Sequence, residues 1–147
     1  MRRLLAAATL ALLAGCASPS SYRNADLSGT VSYREKVVYG PDATLVVWLV
    51  DASGPESAIE VDLQKLDNPA PGTELLASST VEGRIVSPAP FSLPVPMGKI
   101  DQSHDYRLKA AIIDQGRPVM ATTNAPLVLT KGRPLQVDLE VSPIPGR

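Results

Sequence analysis

This sequence predicts an all-β fold: an antiparallel β-sandwich of seven to eight strands, of the Greek-key kind seen in immunoglobulin and transthyretin domains. Three observations predict it. Short segments alternate apolar with polar residues at the period of two that half-buried strands require. Fourteen prolines and ten glycines among 147 residues separate those segments. The core must be aliphatic, because the chain has only one phenylalanine, one tryptophan and four tyrosines, and no long stretch carries the 3.6-residue period of an amphipathic helix.

The chain opens on a different signal. Arg2 and Arg3 precede an apolar run from Leu4 to Leu13 in which only Thr9 is not apolar, and Ala14 and Gly15 follow. That is the basic, apolar and small-residue order of a secretory leader, and it is shorter than the ~20 residues a spanning helix needs. Leu13, Ala14 and Gly15 stand directly before Cys16, the only cysteine. Leu-Ala-Gly-Cys resembles the bacterial lipobox, which implies removal of residues 1–15 and acylation of Cys16. Two or more acyl chains hold a domain on a bilayer stably where one does not. The resemblance to lipoproteins, with Ala17 rather than aspartate after the cysteine, further implies an outer-membrane destination facing the periplasm. A lipidated Cys16 would leave no thiol for a disulfide or a thiolate-bound metal.

Beyond the leader, residues 16–26 read as the lipidated cysteine and a small, polar tether, residues 27–142 as one domain, and 143–147 as a tail. The charge is mixed. Of 14 Lys and Arg, two lie in the leader, which leaves 12 against 15 Asp and Glu, a net of −3. No basic run is present, so nucleic-acid binding has no electrostatic footprint.

The first strand is expected over Leu27 to Tyr39, with Leu27, Gly29, Val31 and Tyr33 inward. A bulge near Arg34–Lys36 is expected to turn Glu35 out and re-seat Val37 and Tyr39, since a buried unpaired carboxylate is costly. Gly40-Pro41-Asp42 is a turn. Thr44 to Val50 is apolar on both faces and should be a central strand, with Trp48 as a packing residue. Ile59, Val61 and Leu63 alternate with Glu60, Asp62 and Gln64 and suggest a further strand, before a loop over Asp67 to Thr73. Glu74 to Val81 is the next strand. In Ser87 to Pro96, Phe91, Leu93 and Val95 share one face while Pro94 and Pro96 cannot donate to a ladder, which assigns the segment to a sheet edge. Tyr106, Leu108, Ala110 and Ile112 define a strand that turns at Gln115-Gly116 into Pro118–Thr123. A short apolar segment, Leu127–Leu129, follows. Leu135, Val137, Leu139 and Val141 form the last strand.

Candidate chemistry is sparse. His104 is the only histidine, no Gly-x-Ser-x-Gly is present, and no glycine-rich phosphate loop appears. Asp101, His104 and Tyr106 instead suggest a structural corner, in which His104 caps Asp101 or nearby backbone and Tyr106 resembles the tyrosine corner of Greek-key sandwiches. No catalytic residue, cofactor or metal ligand is assigned.

Three stretches together resemble the YbaY/YscW-like lipoproteins: Ser28 to Lys36 leading to the Gly40–Ala43 turn, Pro90-Phe91-Ser92-Leu93-Pro94, and Ile100-Asp101 with His104 and Tyr106 to Ala110. The resemblance spans roughly residues 28–142, and Gly54 to Leu66 stands as sequence beyond the family's pattern. It implies a non-enzymatic envelope lipoprotein and, for members that serve secretion systems, a pilotin-type chaperone with a secretin-like client. Such a client would be captured at a sheet edge or groove, and the first and final strands are the expected edges. Two other readings stay open at this point: a small-ligand or glycan-binding module, and a periplasmic hydrolase inhibitor using the Asp67–Thr73 loop.

Overall fold

The computed structural model describes residues 24–54 and 75–145, and the leader, Cys16, most of the tether and the Ile59–Thr73 expectations lie outside them. Eight strands are present: β1 (Asn24–Ser32), β2 (Ala43–Asp51), β3 (Leu75–Glu82), β4 (Ala89–Pro96), β5 (Tyr106–Asp114), β6 (Arg117–Thr122), β7 (Leu127–Val128) and β8 (Leu139–Pro143). The only helical turn among the described residues is the 3₁₀ turn Met97–Lys99.

The strands form one continuous sheet in the order β3-β2-β5-β6-β8-β1-β4, with β7 on β5. It curls until the end strands β3 and β4 come side by side, with no ladder between them among the described residues. The architecture is therefore a nearly closed barrel rather than an immunoglobulin-like sandwich. The pairing is not purely antiparallel either, because β8 runs parallel to β1 at Val31↔Leu139 and Ser32↔Glu140. Farther along, β8 turns to β6, antiparallel at Thr122↔Val141 and Met120↔Pro143. One strand thus joins two sheets that would otherwise face each other. Sandwiches and barrels both need one apolar face per strand, so alternation alone does not separate them.

β2 is central, flanked by β3 and β5. Its Leu45, Val47 and Leu49 enter the main core with Leu27, Val31, Phe91, Leu93, Val95, Tyr106, Leu108 and Ile112. Val46, Trp48 and Val50 bury against Ala111 in a smaller cluster on the other face. Trp48 packs as expected, but away from the main core, and its indole N–H finds no acceptor.

β1 begins at Asn24, three residues before the alternation predicts, because Asn24, Ala25 and Asp26 pair with Pro96, Val95 and Pro94. It ends at Ser32. The chain bends instead of bulging: Val37 is exposed rather than re-seated, Tyr39 packs against the core and forms a lone bridge to Ile85, and Glu35 buries one carboxylate oxygen without a partner. The last strand is also shorter than expected. Leu135 is exposed, and residues 135–137 run beside β1 through Ser28 N–H to Leu135 O (3.0 Å) and Val137 N–H to Ser28 O (2.8 Å). Gly29 permits this approach, since a Cβ there would sit 1.8 Å from Val137 O.

Two hydroxyls replace backbone partners where ladders give out. Thr122 Oγ1 accepts from Ala110 N–H (2.5 Å) and donates to Ala110 O (2.8 Å), bridging the gap on β5 between β6 and β7. Ser87 Oγ accepts from Tyr33 N–H (3.0 Å) and donates to Tyr33 O (3.2 Å). The β5–β6 hairpin closes on Gln115 and Gly116 at φ 50° and 74°, the paired positive angles of a type I′ turn.

Candidate functional site

Strand directions divide the barrel into two poles. β1 begins at the near pole, which also carries the loops 97–105, 123–126 and 129–134 and the chain leaving β2. The far pole carries the loops 33–42 and 83–88 and the 115–116 turn.

The near pole brings Asp101, His104 and Tyr106 together. Tyr106 is buried, and its hydroxyl accepts the Asp101 N–H at 2.9 Å. Asp101 Oδ1 accepts from the Ser103 N–H and Oγ, and those bonds hold its carboxyl below the usual carboxylate range. His104 does not cap Asp101 closely: its Nε2 lies 3.8 Å from Asp101 Oδ2. Its close partner is Asp51, with Nδ1 2.6 Å from Oδ2. That bond, with the Asp51 and Asp101 charges, raises the imidazole above its ordinary value. Burial pushes Asp51 upward, but the Ser53 N–H and His104 outweigh it and hold the carboxyl low.

The network extends to the loop after β7. Asp105 accepts from Arg133 and Lys131, which depress its carboxyl. Its N–H donates to Ser53 Oγ at 2.8 Å, and Thr130 Oγ1 donates to His104 O at 2.6 Å. Three loops are therefore cross-tied. Asp51, Ser53, Thr130 and Arg133 were missed in the sequence because their partners lie 26 to 53 positions away. The arrangement is one of ion pairs and turn caps. Ser103 Oγ donates to Asp101 and not to His104, so the corner assembles no serine nucleophile. Among the described residues no group of three or more His, Cys, Asp or Glu could hold a metal ion.

The sheet edges differ from the expected ones. β1 lies between β4 and β8, and β8 between β6 and β1, so neither strand offers a free edge to a client. The end strands are β3 and β4. β4 meets the expectation for the proline segment: Phe91, Leu93 and Val95 are buried while Pro90, Ser92 and Pro94 face outward.

The chain matches the family described as type III secretion system lipoprotein chaperone (YscW) over residues 54–141. That is more than half of its length. The chain belongs to this family. The match starts at Gly54, so the stretch read as extra sequence falls inside the span of the YscW family, while Ser28–Lys36 falls outside it. Among solved structures, an alternative pilotin from the type II secretion system of Vibrio cholerae has a TM-score of 0.69 at 23% identity, covering 84% of this chain and 100% of that one. At that identity the likeness concerns the fold. No curated protein matches the chain.

Proposed function

We propose that this YscW-family protein is a lipid-anchored, non-enzymatic chaperone of the bacterial envelope that binds a secretin-like subunit and delivers it to the outer membrane. Family membership over residues 54–141 is the observation that carries this reading. The pilotin fold match and the Leu13–Cys16 lipobox support it. Acyl chains on Cys16 would hold the barrel on the periplasmic side of the outer membrane, so that a bound client travels with its carrier.

The glycan-binding alternative needs aromatic side chains on the surface. Tyr33 is buried and meets Tyr39 edge-on at 5.7 Å, and Trp48 is buried, which argues against it. The inhibitor alternative rests on Asp67–Thr73, outside the described residues.

In-cell cross-linking with affinity purification and mass spectrometry tests the proposal. The comparison is between the anchored protein and a Cys16→Ser form exported by an ordinary leader. Enrichment of a secretin with the anchored form, and failure of that secretin to reach the outer membrane with the soluble form, is the expected result. Recovery of only abundant outer-membrane neighbours in both forms overturns it.

A further inference from the structure

The far pole exposes an apolar surface that the fold does not use. Val37, Val38 and Val86 are 46%, 51% and 49% exposed. The Tyr39↔Ile85 bridge sets Val38 beside Val86, pointing outward while Ile85 points into the core. The loops and strand ends of this pole carry Arg34, Lys36, Arg84 and Arg117 against Glu35, Asp42, Glu82, Asp114 and Glu140, with Arg34 paired to Glu140 at 2.7 Å. With no excess of positive charge, this pole has no net attraction to anionic lipid headgroups, an attraction that membrane-binding surfaces combine with apolar residues.

Position argues against the bilayer as well. β1 enters at the opposite pole and, at ~3.3 Å per residue, is about 26 Å long. The eight steps from Cys16 to Asn24 reach at most about 29 Å when fully stretched. With β1 tilted as barrel strands are, the pole-to-pole height is about 20 Å. Laying the far pole on the anchoring membrane would therefore need most of that link drawn out along the barrel wall, against its conformational entropy.

We propose that the Val37–Val38–Val86 surface is the docking site for an apolar segment of the protein client, held away from the membrane that carries the acyl chains. This inference rests on the chaperone reading above. An apolar surface of this kind, beside charges of both signs with no positive excess, fits a partner that contributes aliphatic side chains and few charges.

The test places a photo-cross-linking amino acid at Val38, at Val86 and, as control, at Leu135, which is 45% exposed beside the middle of β1. Cells producing the type III secretion apparatus are irradiated and the adducts identified. In parallel, a Val38→Asp/Val86→Asp variant is compared with wild type for secretin co-purification, after circular dichroism and the melting temperature show that it folds. The expected result is secretin adducts from positions 38 and 86 and not 135, with at least a ten-fold loss of co-purified secretin in the double variant. Adducts to phospholipid or to a second copy of this chain overturn the assignment. Unchanged co-purification in a folded double variant overturns the docking site and leaves the chaperone reading standing. Absence of secretin from the wild-type sample sinks both.

Discussion

His104 Nδ1 lies 2.6 Å from Asp51 Oδ2, tying the end of β2 to the loop that precedes β5. Asp51 stabilises the protonated imidazole, so the native chain holds that proton more tightly than the unfolded chain. The contribution is fully present below the ordinary imidazole value of about 6.5 and is lost as pH rises through the raised native value. Asp51 and Asp101 act in the other direction: held low, they contribute above about pH 3.9, and that contribution is lost as pH falls through their native values. The melting temperature should decline as pH rises above about 6.5, and His104→Gln should flatten that decline while keeping the acid limb set by Asp101 and Asp105. Equal alkaline slopes in both proteins would show that the pair is electrostatically idle.

Gly29 is required by contact rather than by turn geometry. An added Cβ meets the Val137 carbonyl at 1.8 Å and its carbon at 2.6 Å, and both are backbone atoms that cannot rotate away. Gly29→Ala must therefore push residues 135–137 off β1, breaking the two Ser28 bonds. Overpacking of this kind costs about 3 kcal/mol. Urea denaturation measures it, and a loss below about 1 kcal/mol would mean that the crossing relaxes more freely than the geometry implies.

How much of this was legible in the sequence follows from the range of each interaction. The inward phase of Leu27, Val31 and Tyr33, of Phe91, Leu93 and Val95, and of Tyr106 to Ile112 is a local property of alternating side chains. The same holds for the proline edge. The barrel was not legible, because β8 changes partner from β1 to β6 within five residues and alternation carries no partner. Leu135 broke the pattern for a related reason: residues 135–137 follow β1 at the glycine crossing, and Leu135 turns outward there. At the corner, Tyr106 and Asp101 were close enough in sequence to suggest each other, whereas Asp51 was not. Val37 was expected inward because a bulge was to re-seat it with Tyr39, whereas the bend after Ser32 leaves it exposed.

Thr122 does for Ala110 what a neighbouring strand would otherwise do. Ala110 is fully buried, so its N–H and C=O cannot turn to water if the hydroxyl is removed. Thr122→Val keeps the shape and leaves both groups unpaired, at about 1–3 kcal/mol for each unsatisfied group. Thr122→Ser keeps the hydroxyl and should retain most of the stability. Chemical denaturation of the two variants is the check, and similar losses in both would assign the effect to the lost methyl instead.

The prolines of β4 protect an edge. Pro90, Pro94 and Pro96 share one phase of the strand and pair with Thr30, Asp26 and Asn24. Lacking N–H groups, they belong at positions where β1 requires no donor. Their backbone positions then point away from β1, toward the side where another strand could add, and without amides they offer it nothing to bond. Pro90→Thr and Pro94→Thr together would restore two donors to that side while leaving Phe91, Leu93 and Val95 in the core. The expected outcome is a folded protein with a melting temperature close to wild type that forms oligomers faster at high concentration, because an unblunted edge templates pairing between chains. Light scattering over time at matched concentrations reads this directly. If the double variant stays as monomeric as wild type, the prolines guard nothing, and the approach of β3 to β4 is itself enough to close the barrel against a second chain.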